Sequence, residues 1–336
     1  VRALRYTTAG LVVDSKAAEP VGQLGHAIIR PTRLGLHPID VAVARGWTTH
    51  AGIIGRECIG LVESVSATPE EAARWTGKRV LLQSALVCGT CAQCRGGNGA
   101  HCPERRVAGV CGRDGFCADR IAAPLNSLVE VPKTIGEDVA IFAYAMADAM
   151  HTTQVIRAEG KTFVTVLGDT LDALLVARLM AARNATVRLL CHTPATLTQC
   201  EKWGIRARPM SEVGLRHDQS VVVDCSHEAA QLGPAVQMLR PKGTLILRSA
   251  FAAVPQRCWN AEAKRAQAVV PTDSVIANEI TIIGARAATL AEGLDLVSKA
   301  GTDLLPLITR RFKLSEGVSA MRAAADPAHL KVVIEL

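Results

Sequence analysis

Four cysteines stand in one short stretch, Cys88, Cys91, Cys94 and Cys102, spaced C-x2-C-x2-C-x7-C. Thiolates this close along a chain can close a tetrahedron around a single metal ion, and an all-sulfur set favours zinc. The intervening Gly89, Gly96, Gly97 and Gly99 let the backbone wrap. Four protein ligands complete the shell and leave no position for a substrate, so the implied role is structural. The same residues also admit disulfide pairs, free thiols or an iron–sulfur cluster. The other seven cysteines, Cys58, Cys111, Cys117, Cys191, Cys200, Cys225 and Cys258, show no paired spacing. They read as small buried hydrophobes in a reducing compartment.

A second constellation follows Phe163-Val-Thr-Val-Leu167, a short apolar run rich in β-branched residues. The next residues, Gly168-Asp169-Thr170-Leu171-Asp172-Ala173, stand where a dinucleotide turn has G-x-G-x-x-G/A. Gly168 suits the tight turn and Ala173 the close helix–strand packing. Thr170 replaces the glycine that lets backbone approach a pyrophosphate. Asp172 adds a carboxylate in the helix's first turn, which stabilises the helix but competes with a bound anion. The second strand ends in Cys191-His192 where an acid normally grips the ribose. His192 or Arg188 could meet a 2′-phosphate, so NADP is favoured over NAD.

These groups need elements to position them. Residues 1 to about 135 carry short apolar runs separated by Gly, Pro and Asp, the pattern of a compact β-rich, barrel-like domain. A helical stretch from Glu137 to Ile156 follows. After Gly160 strands and helices alternate, which implies a parallel sheet covered on both faces. Two helices and a last strand, Leu330–Glu335, close the chain.

The cysteine lobe, its place in the chain and the order of parts closely resemble the medium-chain dehydrogenase/reductase family, the zinc alcohol dehydrogenases. The resemblance implies an α/β chain. Residues 1–137 and 285–336 would form a β-rich GroES-like catalytic domain, with the zinc lobe at 88–102. Residues 138–284 would form a doubly wound Rossmann nucleotide-binding domain. It implies an NAD(P)-dependent oxidoreductase acting on a small alcohol or carbonyl substrate, with Gly168, Thr170, Ala173, His192 and Ser226 toward the cofactor. It also implies a homodimer formed by pairing of the outer strand Ile280–Gly284.

The catalytic positions depart from the family. Where the motif has G-x-C-x-x-D, this chain has Gly35-Leu-His37-Pro-Ile-Asp40. For G-H-E-x-x-G it has Gly55-Arg56-Glu57-Cys-Ile-Gly60, and the third ligand position holds Tyr144. Arg56 offers no lone pair to a metal, so the catalytic zinc is lost. In one reading the guanidinium of Arg56 polarises a carbonyl and Tyr144 or His37 donates the proton, with weakened activity. Arg56 is otherwise expected to pair with Glu57 or Asp40. In the other reading the chain is an inactive relic that serves as a binding or scaffold protein.

Composition bounds both. Of 336 residues 49% are hydrophobic and 21% charged, as in a globular chain. The net charge of +7 comes from scattered residues and aromatics are only 3%, which argues against a nucleic-acid groove. No apolar run reaches membrane-spanning length and the first residues lack a signal-peptide pattern, so a soluble cytoplasmic protein is expected.

Overall fold

A computed structural model describes residues 1–336 apart from 157–161, 184, 250, 252–253, 265, 267–268 and 287–288. The chain divides into two compact units: Val1–Tyr144 with Ala253–Lys264 and Leu290–Leu336, and Ala145–Ala252 with Arg265–Thr289. The sequence placed the boundary a few residues earlier and left 253–264 with the nucleotide domain. That segment joins the first unit because Cys258 is disulfide-bonded to Cys111, 147 positions away, and Thr49 N–H donates to Cys258 O. This corrects the reading of the outlying cysteines as scattered thiols without pairing. The partners lie too far apart in sequence for spacing to expose them.

The first unit is built on a seven-stranded sheet. Its path runs Leu128–Glu130, Arg79–Leu82, Glu57–Ser66, His26–Gly35, Lys331–Glu335 and Ile308–Lys313, and Ile121–Pro124 pairs with His26–Gly35. Glu57–Ser66 and His26–Gly35 form a long antiparallel pair that brings Gly35 opposite Glu57. The last strand then sets Val333 beside Gly35. Two sequence motifs and the far end of the chain thus meet at one point. Leu34, Ile39, Ile59, Leu81, Leu82 and Phe116 are fully buried beneath it. A small sheet of Ala85–Leu86, Arg106–Ala108 and Gly112–Arg113 flanks the cysteine loop.

The second unit is a six-stranded sheet, entirely parallel, in the order Arg206–Pro209, Thr186–Cys191, Phe163–Leu167, Gln219–Asp224, Leu239–Arg248, Thr281–Ala285. Numbered along the chain this is 3-2-1-4-5-6, the doubly wound arrangement. Four of the five residues of Phe163–Leu167 are buried, as a strand covered on both faces requires. Leu167, Leu190, Val222 and Leu245 pack with Leu232, Val236 and Met238 of a covering helix, Leu232–Met238. The order reverses between the first and fourth strands, and the crevice outside their carboxyl ends is where this architecture binds ligands. No helix of the described residues is long and apolar enough to cross a membrane.

Candidate active site and metal centre

The cysteine loop gathers its four sulfurs within 4.8 Å of one another. Cys88 and Cys94 are 3.9 Å apart, Cys91 and Cys102 3.9 Å, and Cys88 and Cys102 3.6 Å. A tetrahedron with zinc–sulfur bonds of about 2.3 Å has edges of roughly 3.8 Å. The spacing is therefore that of a metal cage, not of two disulfides. The backbone N–H of Cys91 donates to the Cys88 sulfur and that of Cys94 to the Cys91 sulfur, both at 3.4 Å. Donors from Thr90 and Cys91 pull the Cys88 thiol down to about 6. Among the described residues no other group of three or more His, Cys, Asp or Glu side chains has metal-holding geometry.

The remodelled catalytic positions lie together in the first unit. His37 is the N-cap of the helix Pro38–Ala44, and its Nδ1 accepts from Ile39 N–H at 3.1 Å. Nδ1 therefore carries no proton, and the ring's proton belongs on Nε2. Asp40 completes the cap by accepting from His37 N–H at 2.9 Å. Arg56 brings Nη1 to 3.2 Å from Nε2 and 3.3 Å from Nδ1 of His37, while Nη2 donates to Ser84 Oγ at 3.3 Å. His37, Arg56 and Ser84 are each buried, with 6–8% exposure.

Arg56 does not make the expected pair with its neighbour. Glu57 is fully buried and bonded to Lys331 of the last strand. A β-carbon added to Gly35 would stand 2.5 Å from the Glu57 carboxylate and 2.8 Å from Lys331 Nζ, so the pair itself demands glycine there. Asp40 is held by the His37 backbone. The sequence could not show this because Lys331 lies 274 positions from Glu57.

Tyr144 is a correction of a different kind. Its hydroxyl accepts from Cys58 N–H at 3.1 Å and Leu82 N–H at 3.2 Å, and lies 2.6 Å from Leu82 O and 3.0 Å from Cys58 O. The strands pair as far as Ile59 and Leu81, so the hydroxyl closes the ladder one residue beyond. Burial pushes it far above its usual range. Tyr144 staples two strands, its hydroxyl held by their backbone.

Burial also raises the Asp40 carboxyl to about 7, against the His37 hydrogen bond and the charge of Arg56. The raised value means that the protonated acid is favoured in the fold. Stability from this group is full below the unfolded value near 3.8 and is lost as pH rises through about 7. Asp40→Asn should match the parent near pH 4 and become the more stable protein above pH 7, by roughly 4 kcal/mol at most. Urea midpoints measured from pH 4 to 8 check this; a gap that does not widen with pH would contradict it.

In the second unit the glycine turn has the required shape. Gly168 has φ +124°, and a β-carbon there would lie 2.9 Å from the Ser226 backbone. Only glycine fits so close an approach of the first strand's turn to the fourth strand's end. Thr170 is the N-cap of the helix Leu171–Ala182; Oγ1 accepts from Ala173 N–H at 3.1 Å and donates to Cys225 O at 2.8 Å. Its hydroxyl is thus committed inward. Asp172 is buried and lies 3.2 Å from Arg248 and 3.4 Å from His227. Arg248 also bonds Asp148 at 2.5 Å. The carboxylate at the helix start is therefore paired inside the unit with Arg248, which it shares with Asp148.

Asp169 is a residue the sequence did not single out. It accepts from His192 N–H at 2.7 Å, Thr193 N–H at 2.9 Å and Thr193 Oγ1 at 2.7 Å, tying the glycine turn to the end of the second strand. An acid thus reaches the position at which Cys191-His192 lacks one. Gly168, Asp169, His192, Ser226 and Glu228 line a crevice there of about 20 Å³. It has room for about one water, and His192 and Glu228 at its rim are exposed. Arg188 does not line it: its guanidinium lies over Phe163, 5.4 Å from the ring centre, beside Thr165.

Residues 23–133 match the alcohol dehydrogenase GroES-like domain. The L-threonine 3-dehydrogenase of Streptomyces coelicolor is 25% identical over 336 residues, 94% of each chain. That of Saccharopolyspora erythraea is 24% identical over 297 residues, 84% of this chain and 82% of its own. Over nearly its whole length the chain is similar to the zinc-type medium-chain dehydrogenases. Among solved family folds, a protein from Sinorhizobium meliloti 1021 assigned as a zinc-binding dehydrogenase and bound to NADP superposes with a TM-score of 0.83 at 21% identity. It covers 100% of this chain and 99% of its own. Galactitol-1-phosphate dehydrogenase from Escherichia coli gives 0.82 at 17% identity, with both chains covered in full. These two likenesses carry the fold.

Proposed function

We propose that this protein is an NAD(P)-dependent oxidoreductase acting on a small alcohol or carbonyl compound, with zinc in the cysteine lobe and none at the catalytic positions. The observation that carries the reading is the 3-2-1-4-5-6 parallel sheet with Gly168 forced into its turn at the switch point. Gly168, Ala173, His192 and Ser226 would hold the dinucleotide, with Thr170 capping the helix behind it. Bound there, NADP or NAD supplies or accepts a hydride. In the first unit Arg56 offers a fixed positive charge to a carbonyl oxygen, the task that a metal performs elsewhere. His37 offers the proton on Nε2. Neither Tyr144 nor Glu57 has a chemical part, since the one is held by backbone and the other by Lys331.

Mixing the protein with NADPH and, separately, NADH tests the reading. Enhanced or shifted nicotinamide fluorescence with at least one supports it, and silence with both contradicts it. Elemental analysis should return one zinc per chain, lost when Cys91→Ser and Cys102→Ser are combined. Two zinc ions per chain would falsify the claim that the catalytic positions hold no metal. Among the described residues the edge strand Thr281–Ala285 ends the sheet with one side unpaired, and we infer that two copies pair through it. Nine cysteines outside any disulfide support a cytoplasmic setting.

A further inference from the structure

We propose that His37, Arg56 and Ser84 form an oxyanion-binding site, and that the substrate is a small molecule carrying a carboxylate or phosphate group. The second half of this statement rests on the oxidoreductase reading; the first half does not.

The argument begins with charge. Arg56 retains only 8% exposure. A guanidinium taken so far from water is strongly disfavoured without a negative partner. Each carboxylate near it is already committed. Glu57 is bonded to Lys331, and Asp40 is bonded to the His37 backbone. Asp40 is also buried enough to be only partly ionised at neutral pH. No carboxylate lies within ion-pairing distance of Arg56 among the described residues, and its buried Nε has no hydrogen-bond acceptor there. A second guanidinium, that of Arg105, is near enough for the charge of Arg56 to act on it, and Arg257 adds a third. Arg105 donates to the backbone carbonyl of Ala100, and Arg257 to those of Pro103 and Arg105.

The second observation is the donor set. Arg56 contributes Nε and Nη2, and Ser84 a hydroxyl beside Nη2. His37 backs the guanidinium, its two ring nitrogens 3.2 and 3.3 Å from Nη1 of Arg56. Fork-shaped guanidinium donors beside a hydroxyl match the oxygens of a carboxylate or phosphate. A carbonyl dipole alone needs less: one donor, and no uncompensated charge. The site is therefore built for an anion first, with the reacting carbonyl or hydroxyl as its neighbour on the same molecule.

Acetate and inorganic phosphate, at constant ionic strength, separate the two anion types, with acetamide as the neutral control. The parent's melting temperature should rise saturably with one of the two anions and not with acetamide. Arg56→Gln should weaken that anion at least tenfold, Arg56→Lys less, and Ser84→Ala about threefold. An unchanged response in Arg56→Gln, or no response to either anion in the parent, overturns the site. Should Arg56→Gln fail to fold, Ser84→Ala and the parent's anion selectivity decide. A separate arm supplies pyruvate or propionaldehyde with whichever reduced dinucleotide the protein binds. Oxidation of that dinucleotide by the 2-oxo acid in preference to the aldehyde supports the substrate assignment. Anion binding with equal or better use of the aldehyde overturns the substrate assignment and leaves the site standing. Failure of the dinucleotide to bind at all strikes the oxidoreductase reading and not the anion site.

Discussion

Arg248→Met is expected to destabilise the protein by about 3–5 kcal/mol, the cost of leaving buried charge without its partner. Asp148 and Asp172 approach the Arg248 guanidinium at 2.5 and 3.2 Å, and the three side chains are 2–9% exposed. Burial opposes the charge on Arg248, but the two carboxylates outweigh it and hold the guanidinium above its usual range. Removing it leaves two buried carboxylates without the guanidinium that they share. Chemical denaturation gives the loss directly. Adding Asp148→Asn to Arg248→Met should recover a substantial part of it, because the pair then couples. A variant within about 1 kcal/mol of the parent would show that water reaches the cluster.

The second large effect belongs to the first unit. Lys331→Met should also cost about 3–5 kcal/mol by stranding Glu57, which has no exposure. Glu57→Leu combined with Lys331→Met should be far less harmful than Lys331→Met alone, since a pair replaced by apolar groups leaves no buried charge. Equal losses in the single and double variants would mean that packing around Gly35, and not charge, sets the stability.

Much of the fold could be read from the residues because its signals are local. The four cysteines fall within 15 positions of one another, and their loop is their own scaffold. Phe163–Leu167 and Gln219–Asp224 are apolar runs bounded by turn residues, and the sheet follows from their alternation with helices. Arg206-Ala-Arg-Pro209 gave no such signal. As an edge strand it is half exposed, so no apolar face is imposed on it. The candidate site was legible only as a set of positions. His37 and Arg56 were marked by what they replace, and they do meet. The buried ion pairs were hidden, because the fold joins Glu57 to Lys331 and Asp148 to Arg248 across 274 and 100 positions. Tyr144 misled for a related reason. A tyrosine at a ligand position reads as chemistry until the unfinished ladder between Cys58 and Leu82 explains its hydroxyl.

The central claim is that the second unit binds a nicotinamide dinucleotide for hydride transfer. Calorimetric titration of NADPH and NADH into the parent and into Gly168→Val tests it most directly. The account predicts saturable one-to-one binding of at least one dinucleotide to the parent. It predicts a loss of tenfold or more in the variant, whose side chain would be forced against the Ser226 backbone in a conformation closed to β-branched residues. Absence of binding by the folded parent to either dinucleotide at millimolar concentration would contradict it.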